Sequence, residues 1–139
     1  MSEMLKRQKA AQAVLDRFKG KPMQYGKNDC ARLAAMALRK MGHRSPMVKA
    51  GIYHSAVGAL RAMKKLGFDD LAAAIDSVGL KRIAPAAALP GDLILIPGEG
   101  AFGGALVMAV SNGRVLGYHE DCAGAEVLQP VEYLAAWRL

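Results

Sequence analysis

Apolar residues in the first half of the chain recur every three to four positions, whereas in the last third they gather into short blocks. The first pattern predicts amphipathic helices and the second predicts buried strands. Ala11, Val14, Leu15 and Phe18 share one helical face, and Gly20 stops that helix. A second helix follows Asp29. Its stripe is Cys30, Leu33, Ala34, Ala37, Leu38 and Met41, and Gly42 ends it. Ser55 is placed to cap a third helix carrying Ala59, Leu60 and Met63, closed near Gly67. Asp69 or Asp70 can cap a fourth, with Leu71, Ala74, Ile75 and Val78, closed by Gly79.

Beyond residue 90 the period changes. Pro90-Gly91-Asp92 reads as a turn, and Leu93 to Ile96 as a buried strand stopped by Pro97. Gly98 to Gly104 reads as a glycine-rich connection. It lacks the Lys-Ser/Thr ending and following helix of a phosphate-binding loop. Ala105 to Val110 and Val115 to Tyr118 read as strands around Asn112-Gly113, a dipeptide suited to a type I′ turn. Glu126 to Leu128 suggests a fourth strand, and Pro130 opens a final short segment. With no repeat and no linker, residues 1–139 read as one α+β domain. Its helical half covers about 1–80 and its strand-rich half about 90–139.

Composition sharpens this picture. Hydrophobic residues make up 53%, which excludes a disordered chain. Aromatic residues are only 6%, so Ala, Leu, Val and Met must fill the core. The first residues are charged and form no apolar signal region, and no apolar run is long enough to cross a bilayer. Two cysteines are too few for a disulfide framework, so synthesis in a reducing cytoplasm is expected. The net charge of +7 is uneven. Lys and Arg exceed the acidic residues by ten in 1–70 and fall short by three in 71–139. A basic half favours an anionic neighbour, or is simply a solvated helical surface. No motif for specific nucleic-acid recognition is present.

The segment Lys21 to Cys30 carries the chemistry. A Pro/Gly-containing loop ends in Asn28-Asp29, and Cys30 opens a helix. Backbone N–H groups and the helix dipole favour a thiolate at that position. Asp29 is better read as the helix cap than as a catalytic group. Read alone, Cys30 is either an activated nucleophile or a small apolar member of its helix stripe.

Pro22, Tyr25, Gly26, Asp29 and Cys30, then Gly91-Asp92-Leu93, then the Asn112-Gly113-Arg114 turn resemble, in order, the NlpC-like branch of the papain-like cysteine peptidases. A narrower likeness spans nearly the whole chain. Gly20 to Cys30, Tyr53 to Arg61 and the Ala135 to Leu139 ending resemble a family of small phage and prophage tail-region proteins. The likeness implies N-terminal helices packed on a small antiparallel sheet. It also implies a tail-tip or tail-assembly protein, made in the host cytoplasm and carried in the virion tail, with other tail proteins as partners.

The resemblance breaks at two positions. Counting back from Asn112, the place of the peptidase base is held by Ala105. A papain-like thiol needs an imidazole to take its proton and return it to the leaving group. The residue after the nucleophile, commonly a small hydroxyl residue in the family, is Ala31. His119, beside Glu120 and Asp121, is the best substitute base, about two positions out of register. His43 and His54 read as surface groups. A zinc site from Cys30, His119, Asp121 and Cys122 lacks a second ligand pair, so no metal or cofactor is expected. A Cys30–Cys122 disulfide in a virion is a further alternative. Trp137 anchors either the core or a partner interface. Two functions follow from the resemblance. One is a catalytically inactive structural tail protein on a degenerate peptidase fold. The other is a peptidoglycan-cleaving endopeptidase or amidase using Cys30 and a displaced His119.

Overall fold

The computed structural model describes residues 2–98, 100–118 and 123–139. Four α-helices come first: α1 (Glu3–Phe18), α2 (Cys30–Lys40), α3 (Ala56–Lys65) and α4 (Leu71–Asp76). Each has the capping its sequence calls for. The Ser2, Asp29, Ser55 and Asp70 side chains accept hydrogen bonds from Leu5, Arg32, Gly58 and Ala73 N–H respectively. Asp70, rather than Asp69, therefore starts α4. Two short 3₁₀ turns that the helical periodicity did not reveal occupy Pro46–Lys49 and Pro85–Ala87. Both begin with proline, whose fixed φ suits a first helical position.

The strands are β1 (Leu93–Ile96), β2 (Ala105–Ser111), β3 (Arg114–Gly117), β4 (Glu126–Leu128) and β5 (Ala135–Trp137). They form one antiparallel sheet in the order β4-β3-β2-β1-β5. The architecture is thus α+β. The final segment, expected only as a short ending, is an edge strand paired to β1. Between β2 and β3, Asn112 and Gly113 both have positive φ (49° and 76°), as a type I′ turn requires. The turn takes only those two residues, so β3 starts at Arg114, one position before the expected Val115.

The sheet has two faces because side chains alternate along each strand. Leu93, Leu95, Leu106, Met108, Leu116 and Trp137 face the helices and meet Val14, Phe18, Leu33 and Leu38. Ile94, Ile96, Val107, Ala109, Val115 and Ala136 form the second face, against Ile83 and Ala88. Helix α2 lies across β2, and α1 packs on α2. Trp137 is fully buried, so it belongs to the core rather than to an exposed interface. Its indole N–H donates to Asp76 at 2.8 Å, and the Arg82 guanidinium stacks 5.1 Å above the ring.

One buried carboxylate ties the chain ends to the sheet. Asp92, in the turn entering β1, is 0% exposed. Its Oδ1 accepts from Arg7 Nη1 at 2.7 Å and from the Leu139 N–H at 2.9 Å. Its Oδ2 accepts from the Leu89 N–H at 2.9 Å and pairs with Arg138 Nε at 3.0 Å. Arg7 Nη2 also donates to the Leu139 carbonyl at 2.7 Å. Helix α1, the β1 turn and β5 therefore meet at one ion cluster.

Removing one member of a buried pair strands the other charge. Asp92→Asn is expected to destabilise the fold by about 3–5 kcal/mol in urea unfolding. Glu3, whose exposed carboxylate pairs with Arg7 Nε at 3.2 Å, lies at the edge of the same cluster, and Glu3→Gln should cost under about 0.5 kcal/mol. Equal effects of the two substitutions would refute the role given to Asp92.

Candidate functional site

Asp29 positions the Cys30 thiol and also locks the loop that precedes it. Its Oδ1 caps α2 through the Arg32 N–H at 2.8 Å. Its Oδ2 accepts from the Gly26 N–H at 2.8 Å and from the Tyr53 hydroxyl at 2.8 Å. Asn28 fastens the other side of the loop. Its Oδ1 accepts from Arg17 Nη1 at 2.9 Å, and its amide donates to the Pro22 carbonyl at 3.3 Å. Gly26 has φ +84°, and a Cβ there would lie 2.0 Å from the Tyr53 carbonyl oxygen. Glycine at position 26 is thus dictated by close backbone approach as well as by the turn.

Cys30 is half-buried and opens onto a cleft of about 320 Å³. Met23, Tyr25, Asp29, Tyr53, Phe102, Ala105 and Tyr118 are among its lining residues. The position of the expected base is therefore in the cleft with the thiol, but as a methyl group. No imidazole lines the cleft among the described residues. His54 is exposed, and His43 lines a separate hollow with Arg44 and Pro46. His119, with Glu120, Asp121 and Cys122, lies outside the described residues, and with it the displaced base, the zinc set and the disulfide. Among the described residues no group of acidic, His and Cys side chains is gathered as a metal would require. No described helix is long and apolar enough to cross a membrane.

Opposing effects act on the thiol. Hydrogen bonds from the backbone at Leu106, Cys30 and Ala31 favour the thiolate, as the helix start suggests. Burial outweighs them, and the neighbouring Asp29 carboxylate adds to it. Together they push the thiol up to about 11. Burial, then the same carboxylate, raises the Tyr118 hydroxyl to about 12 and also raises that of Tyr53. The cleft therefore presents a protonated thiol and two protonated phenols at neutral pH. The Tyr118 hydroxyl is buried without a hydrogen-bond partner among the described residues. Spacing alone does not mark Tyr53 and Tyr118 as site residues, because they come from a loop and from the position just after β3. The Tyr53 segment stood out only as part of a family pattern.

A larger groove of about 750 Å³ lies on the second sheet face, between Pro85, Ile94, Ala109, Arg114 and Tyr133. Among the described residues neither Cys nor His lines it, and it shares no lining residue with the thiol cleft.

Residues 3–139 match the model of a family described as a domain of unknown function, DUF6950. The chain belongs to that family. No curated protein matches it. The DUF6950 match covers the capped Cys30 loop, the Asp92 cluster and the sheet alike, so both anchoring carboxylates lie within the family's domain.

The raised thiol sets a pH dependence. In a Cys122→Ser background, iodoacetamide labelling of Cys30 should be over a hundredfold slower at neutral pH than for a thiol of pKa about 8.5. The rate should climb until about pH 11. Because the folded state holds this proton more tightly than the unfolded chain, the contribution to stability is intact below about pH 9. It is lost as pH rises through about 11. A labelling plateau near pH 7 would contradict this. Tyr53→Phe, which removes a donor to a carboxylate, should cost about 1.5–3 kcal/mol in chemical denaturation.

Proposed function

We propose that this protein is a non-hydrolytic, structural or assembly component of a phage tail, built on a degenerate NlpC-like cysteine-peptidase fold. The order of elements is compatible with that fold. Helices precede an antiparallel sheet, a cysteine opens the helix that crosses it, and a Gly-Asp turn leads into β1. The observation that carries the inactive reading is the pairing of Cys30 with Ala105 across one cleft. Attack by a thiol of this kind needs the proton removed as the bond to carbon forms, and later returned to the amine that leaves. A methyl group does neither, and burial holds the proton on the sulfur. The tail assignment rests on the resemblance of the Gly20–Cys30, Tyr53–Arg61 and Ala135–Leu139 segments to tail-region proteins.

The competing reading is a peptidoglycan endopeptidase or amidase. Cys30 would attack the amide carbonyl, its own N–H would hold the oxyanion, and His119 would serve as base.

Two measurements separate the readings. Purified protein and Cys30→Ala should release equally little from peptidoglycan, and cleavage by the parent alone would establish the enzyme. Ala105→His should restore an imidazole to the cleft wall and speed alkylation of Cys30 at neutral pH by about tenfold or more. An unchanged rate would show that position 105 does not control the thiol. The tail role is checked by recovering the chain with tail particles or tail proteins of the element that encodes it. An isolated monomer without affinity for any of them would refute it.

A further inference from the structure

Away from Cys30, a second hollow of about 530 Å³ lies between the end of α1, the outer side of α2 and the loop at Gly51-Ile52. Arg17, Lys27, Arg32 and Arg39 line it, and among the described residues no carboxylate does. Hydrogen bonds orient two of them without neutralising them. Arg17 donates to the Asn28 amide oxygen and to the Lys27 carbonyl, and Arg32 Nη2 donates to the Gly51 carbonyl at 3.1 Å. Among the described residues none of the four cations forms an ion pair. The Arg32 Nε is buried with no acceptor among the described residues. Ile52 stands at the rim with 87% of its surface exposed.

We infer that this hollow is a docking surface for an acidic protein segment that carries an apolar residue. Four uncompensated cations around an open concavity match several carboxylates better than one small anion. Ile52 offers apolar contact beside them, which a peptide can use and a phosphate chain cannot. Among the described residues no aromatic ring lines the hollow for base stacking. The Tyr53 ring lies beneath the Arg32 guanidinium at 5.2 Å, and its hydroxyl is held by Asp29. The inference does not depend on the state of Cys30, since a hydrolase would carry the same hollow.

The test is fluorescence anisotropy on the full chain with labelled Glu/Leu, all-Glu and Gln/Leu peptides and with oligothymidylate. Glu/Leu peptide is expected to bind most tightly and to weaken as salt rises. Lys27→Glu with Arg39→Glu should weaken it by about tenfold, whereas Lys6→Glu with Lys65→Glu, the same charge change elsewhere, should weaken it less than about twofold. All four side chains are exposed, so the fold should survive, as circular dichroism would verify. Ile52→Ser should erase the preference for Glu/Leu over all-Glu. Equal losses in the two double variants would overturn the proposal. So would tighter binding of oligothymidylate, no effect of Ile52→Ser, or no saturable peptide binding.

Discussion

A carboxylate with no exposure to water organises this molecule. Burying Asp92 would be prohibitive if it stood alone, since an unpaired charge in a protein interior costs several kcal/mol. It is tolerated because two arginines and two backbone N–H groups converge on it. Apart from the neighbouring Leu89 N–H, those partners lie at opposite ends of the sequence. Satisfying one side chain therefore forces α1, the turn into β1 and strand β5 into one place. The hydrophobic core then closes around that arrangement, with Trp137 and Leu93 neighbours across the β1–β5 pair.

Asp29 plays a related part around the cleft, with a different consequence. It holds a helix, a loop and a tyrosine through two oxygens, and its negative charge also bears on the thiol next to it. The group that places the sulfur thus helps keep it protonated. In a working cysteine hydrolase a nearby imidazolium would offset such a charge. With Ala105 in the cleft, burial and the carboxylate act in the same direction. The site holds a thiol at a helix start without a neighbour, among the described residues, that would activate it.

Local signals accounted for most of the elements. The caps Asp29 and Ser55 and the Asn112-Gly113 turn are short-range chemistry, and each appears where its residues suggested. The period change near residue 90 likewise announced β1 and β2. What escaped was non-local. Ala135–Trp137 is too short and too Ala-rich to announce a strand, and only pairing with β1 makes it one. The Asp92 cluster joins residues 7, 92, 138 and 139, a juxtaposition that no window of sequence contains. In the candidate site, Cys30, Asp29 and Ala105 were legible because a motif order supplied them. Tyr118 enters only through the packing of β3 against the helix layer, and burial reverses the thiolate preference that the helix start alone suggests.

The reach of the Asp92 cluster also constrains how the chain is made. A polypeptide emerging from the ribosome exposes α1, the turn and the first strands well before residues 135–139 are free. Until then Asp92 lacks two of its partners and β1 has an open edge, a state prone to pairing with other chains. Productive folding must therefore be completed late, when β5 arrives and seals both at once.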